Sequence, residues 1–165
     1  MTRKFEGSMV AIVTPFKDGK VDEQAFKELI NWQIEQGTDA IIPCGTTGES
    51  ATLTYEEHDQ VIELTVKTVN GRVPVIAGTG SNSTAEAVSL TKHAEKVGAD
   101  ASLQVSPYYN KPVQDGLYEH FKKIAENTSL PIILYNIQGR TGVNIPVSYT
   151  HLRAHETVLD LVCRL

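Results

Sequence analysis

Short apolar runs rich in β-branched residues return along the chain at a spacing of roughly thirty residues, the length of one βαβ unit, and this rhythm constrains the fold more than anything else in the sequence. The runs begin near Met9, Ala40, Val73, Ala101 and Ile132, and each reads as a strand. Helical patterns with start and stop signals lie between them. Asp22 opens the first, whose Phe26, Leu29, Ile30 and Gln33 share a face, and Gly37 closes it. Thr54 with Glu57 and Ser83 with Glu86 have capping-box spacing, and Gly71 and Gly98 end the helices those boxes start. A fourth helix is expected over Gln114 to Asn127, with Leu117, Phe121, Ile124 and Ala125 on one side. Strict strand–helix alternation implies right-handed crossovers and a parallel sheet, either open and doubly wound or closed as a barrel. The rhythm alone leaves both open.

The less common residues cluster in one kind of place. Thr14-Pro15-Phe16, Gly45-Thr46-Thr47-Gly48-Glu49, Gly78-Thr79-Gly80, Pro107-Tyr108-Tyr109-Asn110 and Tyr135-Asn136 each follow a predicted strand directly. In a barrel, the C-terminal strand ends form a single rim that carries the active site, so these segments would converge on one pocket. Two adjacent threonine hydroxyls flanked by glycines make a cradle of O–H and N–H donors suited to a small carboxylate, or else a plain turn. The segment is not a phosphate loop, because Glu49 stands where the lysine belongs. Gly78-Thr79-Gly80 carries only half of a dinucleotide fingerprint, with Ser83 at the third glycine position. Tyr108, Tyr109 and Tyr135 are either amphipathic wall residues or proton-relay groups; Arg140 is either a surface guanidinium or a bidentate carboxylate clamp.

Several functional classes fall away. With a net charge of -5 and no basic cluster, the 165-residue chain has no nucleic-acid surface. No apolar run approaches the roughly twenty residues of a membrane helix, and Met1–Ser8 lacks the apolar stretch of a secretory signal, which makes the cytoplasm the expected location. Cys44 and Cys163 are too far apart for a metal motif, and His58, His93 and His120 fall on helices as packing or surface residues. His151 and His155 have the spacing of a helical metal pair without a third ligand, so no metal site is expected. Small-molecule chemistry is the class that remains.

Taken together, Gly45-Thr46-Thr47-Gly48-Glu49-Ser50, Val75-Ile76-Ala77-Gly78-Thr79-Gly80, Pro107-Tyr108-Tyr109-Asn110-Lys111-Pro112 and Tyr135-Asn136 followed by Arg140-Thr141-Gly142 resemble the dihydrodipicolinate synthases of the pyruvate-dependent class I aldolases. The resemblance covers about Phe5 to Val147, roughly the first half of the family's length, and implies an α/β fold: a TIM (β/α)8 barrel truncated to about its first five βα units. It further implies a lyase of lysine and diaminopimelate biosynthesis that condenses pyruvate with aspartate semialdehyde through a Schiff base on a strand-six lysine. Neither metal nor organic cofactor is expected, and the full-length form is expected to be a homo-oligomer, dimer or tetramer. By the same resemblance Thr47, with the backbone around Gly48, holds the pyruvate carboxylate. Thr46, Tyr135 and Tyr109 form the proton relay, Tyr109 acting in the neighbouring subunit's site, and Arg140 binds the carboxylate of the aldehyde. The sibling N-acetylneuraminate and sugar-acid aldolases share the cradle and the barrel, but the Arg140-Thr141-Gly142 segment favours the synthases.

Two departures stand out. Gln138 occupies a position where the family usually has proline, which predicts a less rigid loop around Arg140. None of the predicted strands contains a lysine; Lys111 in the tyrosine loop is the nearest, and family spacing puts the expected nucleophile close to Cys163. The sequence therefore divides into residues 1–147, the N-terminal part of a barrel, and residues 148–165, a tail from outside the family, shifted in frame or appended. The chain alone is expected to be a fragment without catalytic activity.

Overall fold

A computed structural model describes residues 5–146 and, as backbone only, Leu161–Arg164. His151 and His155 lie outside the described residues. The parallel strands are β1 (Met9–Ala11), β4 (Ala40–Ile42), β5 (Ile76–Gly78), β6 (Ala101–Val105), β7 (Ile132–Asn136) and β8 (Leu161–Arg164). β1 pairs with β4, and β5, β6, β7 and β8 pair in that order, all in parallel. The two groups meet where Ile41 bridges to Val75 and the Gly78 N–H donates to the Pro43 carbonyl at 3.0 Å. The wall therefore runs β1-β4-β5-β6-β7-β8, each strand beside its sequence neighbour in the manner of a barrel arc. All five sequence-predicted strands are present, although the third starts nearer Ile76 than Val73.

Helices α1 (Glu23–Glu35), α2 (Tyr55–Val69), α3 (Thr84–Val97) and α4 (Gln114–Ala125) cover one face of this wall. The caps follow the sequence closely. The Asp22 carboxylate accepts from the Ala25 N–H at 3.0 Å, and Thr54 with Glu57 completes a reciprocal box. Each such cap contributes about 1 kcal/mol. The second predicted box is only half formed. Ser83 accepts from the Glu86 N–H at 3.4 Å, whereas the Glu86 carboxylate accepts the Ser81 hydroxyl at 2.7 Å. Ser81, two residues upstream, competes successfully for that carboxylate.

Alternation along the strands separates two layers. Outward residues Ile41, Ala77, Ile132 and Leu134 pack under the helices with Phe26, Ile30, Val61, Ile62, Phe121 and Ile124. Burying one such Ile or Phe contributes roughly 1.5–3 kcal/mol. Inward residues Ala40, Ile76, Ala101 and Ile133 form a separate layer with Phe5 against its side. On β1 and just beyond it, Met9 and Val13 are left at 39% and 50% exposure. A small hairpin, β2 (Phe16–Lys17) with β3 (Lys20–Val21), turns through Asp18 and Gly19 at positive φ and has no counterpart in the sequence-level prediction.

Candidate active site

The Gly45–Ser50 segment after β4 is folded by its own backbone. Gly48 N–H donates to the Gly45 carbonyl at 3.1 Å, Glu49 N–H to Thr46 at 3.2 Å and Ser50 N–H to Gly45 at 3.3 Å. Cys44 and Glu49, at φ 52° and 59°, take the left-handed conformations this double turn demands. The loop is braced from β1, where the buried Thr14 hydroxyl donates to the Gly48 carbonyl at 2.8 Å. From β5 the approach is closer still. A Cβ on Gly78 would stand 2.2 Å from the Cys44 carbonyl oxygen, so only glycine lets these two backbones touch. Behind Gly78, His58 of α2 is buried, and its Nε2 donates to the Gly78 carbonyl at 2.9 Å. Burial holds the His58 imidazole below its usual pKa despite that bond, which keeps it a neutral brace.

A cavity of about 380 Å³ opens beside this loop, within the size range of small-molecule sites. Thr46, Glu49 and Ser50 line it from the cradle, Gly78 and Gly80 from β5, Leu103 and Val105 from β6, and Tyr135 and Arg140 from β7 and beyond. Thr47 and Gly48 belong to the same turn but sit outside this lining. Tyr135 is 8% exposed and occupies an inward position on β7. Arg140 is exposed on a single helical turn, α5 (Gln138–Thr141). Gln138 does not leave that turn loose. Its carbonyl accepts from Gly142 N–H at 2.9 Å, and the Thr141 hydroxyl reaches the Ile137 carbonyl at 3.1 Å. Asn136 ties down the return, its Oδ1 accepting from Ile145 N–H at 3.1 Å and its Nδ2 donating to Asn144 Oδ1 at 2.8 Å.

Tyr109 is placed differently. It is 91% exposed at φ 71° and outside the cavity lining, while its neighbour Tyr108 lines the pocket. Lys111 is also exposed, its stem against Gly142. Cys44 lines the cavity, but burial pushes its thiol well above the usual range, so it is a neutral group rather than a nucleophile. No lysine lines the cavity among the described residues. The strand beside β7 supplies none either: β8 reads Leu-Val-Cys-Arg, and Cys163 stands opposite Tyr135 in the register.

Sequence reasoning missed His58 as a brace and Leu103 and Val105 as pocket wall, whereas Tyr108 takes the wall position it offered. The strand alternation did signal Leu103 and Val105, which share the inward face of β6 with Ala101. Nothing in a lone helical histidine distinguished His58.

Residues 4–159 match the model of the dihydrodipicolinate synthetase family. The chain belongs to that family. The family match extends past residue 147 into the segment that precedes β8. A curated family relative, the 4-hydroxy-tetrahydrodipicolinate synthase of Thermodesulfovibrio yellowstonii, is 63% identical over 158 residues, 95% of this chain and 54% of that protein. The solved dihydrodipicolinate synthase of Aquifex aeolicus superposes with a TM-score of 0.90 at 58% identity, covering 92% of this chain and 52% of that one. A pyruvate complex of the Acinetobacter baumannii enzyme gives 0.93 at 53% identity, covering 98% and 56%. The chain thus spans about half the length of the family members it matches. Those members are TIM barrels, and this chain forms the N-terminal arc of that fold.

Proposed function

We propose that this chain is the substrate-cradling part of a 4-hydroxy-tetrahydrodipicolinate synthase, a lyase that joins pyruvate to aspartate semialdehyde through a Schiff base. The convergence of Thr46, Tyr135 and Arg140 on one cavity is the observation that carries this reading. Hydroxyl groups at 46 and 135 suit proton transfer, and a guanidinium at the rim suits a carboxylate. The pyruvate seen in the Acinetobacter relative supports the same class of ligand. In this reading Thr47, with the Gly48 backbone, holds the pyruvate carboxylate. Thr46 and Tyr135 relay protons with a Tyr109 contributed by a neighbouring copy, and Arg140 receives the carboxylate of the aldehyde. The exposed, left-handed Tyr109 suits a residue that serves a partner's site in a homo-oligomer.

The covalent step needs an amine, and among the described residues no lysine lines the cavity or occurs in β8. The chain therefore binds and orients without forming the imine, and no metal or organic cofactor enters the scheme. Residues 148–165 are assigned no part in catalysis. Borohydride reduction in the presence of pyruvate, followed by intact mass measurement, tests this: unmodified mass with saturable pyruvate binding is expected. A reduced pyruvyl adduct on this chain would overturn the inactive-fragment reading, and absence of pyruvate binding would overturn the cradle reading.

A further inference from the structure

Between strands and helices, four buried polar side chains form one cluster. Behind the cavity, Thr79, Thr91, Ser102 and Gln104 are all buried to within 1% exposure, and among the described residues their side chains hydrogen-bond to one another and to the Ala87 carbonyl. Their proton directions follow from counting. The Thr91 hydroxyl has one proton and gives it to the Ala87 carbonyl at 2.6 Å. In the 2.9 Å contact between Thr79 and Thr91, Thr79 must then donate, and in the 2.7 Å contact between Thr79 and Ser102 the donor must be Ser102. The Gln104 amide nitrogen faces all three hydroxyl oxygens at 2.7 to 2.9 Å and shares its two protons among them. Thr79 is thus the only member that both receives from β6 and gives to α3.

Thr79 lies between the two glycines of the cavity floor. Gly78 touches the Cys44 carbonyl and donates to Pro43; a Cβ on Gly80 would stand 2.3 Å from the Val105 nitrogen. The backbone at 78–80 is therefore wedged between the start of the cradle and β6, and two side chains tie it to the helix layer: His58 of α2 through the Gly78 carbonyl, and Thr79 through Thr91 of α3. We propose that Thr79, acting through Thr91, Ser102 and Gln104, is a positioning residue that sets the Gly45–Ser50 cradle. The proposal rests on the reading of that cradle as a small-acid site.

Hydrogen exchange by mass spectrometry on the full chain tests it. Thr79→Val keeps the shape and removes both roles of the hydroxyl. Exchange across residues 43–50 is expected to accelerate about tenfold, with residues 136–145 unchanged and protection restored within about twofold by Thr79→Ser. Unchanged exchange at 43–50, or acceleration spread evenly over the chain, overturns the proposal. If Thr79→Val does not fold, Ser102→Ala is read by the same criteria, since it removes the donor to Thr79 from a neighbouring strand. Pyruvate titration of the unaltered chain separates the two readings. Lack of binding there defeats the small-acid reading, while the exchange pattern alone decides whether Thr79 positions the loop.

Discussion

The cradle after β4 and the tyrosine loop after β6 both end barrel strands, and both involve non-glycine residues at positive φ: Cys44 and Glu49 in the first, Tyr109 and Lys111 in the second. They differ in what holds them there. The cradle is closed by its own turns, touched by β5, braced by Thr14 and backed by His58. In the tyrosine loop, Asn110 bonds to Asn82 at 3.2 Å and to the Tyr108 carbonyl at 2.9 Å, and Tyr109 projects at 91% exposure. A left-handed non-glycine residue costs roughly 1–2 kcal/mol. The surroundings compel that cost in the cradle, whereas Tyr109 is held by the local Tyr108–Asn110 turn bond, with its ring left exposed. In the proposed function this strained, exposed residue acts in a neighbouring copy's site.

The sharpest break in this comparison is Gly78→Ala. Its methyl would collide with the Cys44 and Gly45 backbone, which no side-chain rotation relieves. The expected loss is on the order of 3 kcal/mol or more, read as a lower urea midpoint at unchanged slope. A loss below about 1 kcal/mol would mean that the cradle is not seated on β5 as described.

Acid gives a second, smaller lever. Burial lowers His58 below its ordinary pKa, and it lowers His120, behind the tyrosine loop, to about 4. His120 hydrogen-bonds Thr84 at 2.9 Å and packs edge-on to Phe121, tying α4 to the start of α3. Because the folded form resists protonation, the unfolded chain takes up more protons between about pH 6.5 and 4, so stability is full above that window and falls as pH drops through it. After allowance for partial exposure, His120 accounts for about 1–2 kcal/mol of that loss. Urea midpoints at pH 7 and 4.5 should lie closer together in His120→Gln than in the parent chain. An equal gap in both would remove His120 from the acid response.

How much of this was legible in the sequence depends on which force set each feature. The existence of the strands, the helix caps and the rim follow from alternation, capping residues and position after a strand, all of which are local, whereas the choice of barrel order over an open sheet came from the family resemblance. Thr46, Tyr135 and Arg140 were singled out from their places at or just beyond predicted strand ends, and the structure brings them to one cavity. His58 and the Thr79 network were not, because their roles depend on contacts across 20 and 25 residues that no local pattern encodes. The sixth parallel strand was also missed: Leu161–Arg164 lies in a segment that the sequence set apart from the family, and only its pairing with β7 makes it a barrel strand.

Tyr109→Gly carries the smallest expected effect and bears most directly on the contrast. Glycine relieves the left-handed strain, and its greater freedom in the unfolded chain offsets a similar amount, roughly 0.5–1 kcal/mol. The ring itself, being exposed, contributes little burial. Stability of the isolated chain should therefore change by less than about 0.5 kcal/mol in a urea titration, where Gly78→Ala costs several times more. A large loss would show that the chain's own packing needs Tyr109. A negligible one leaves a strained aromatic ring with no stabilising part in its own chain, the combination expected of a residue whose contacts lie on a neighbour.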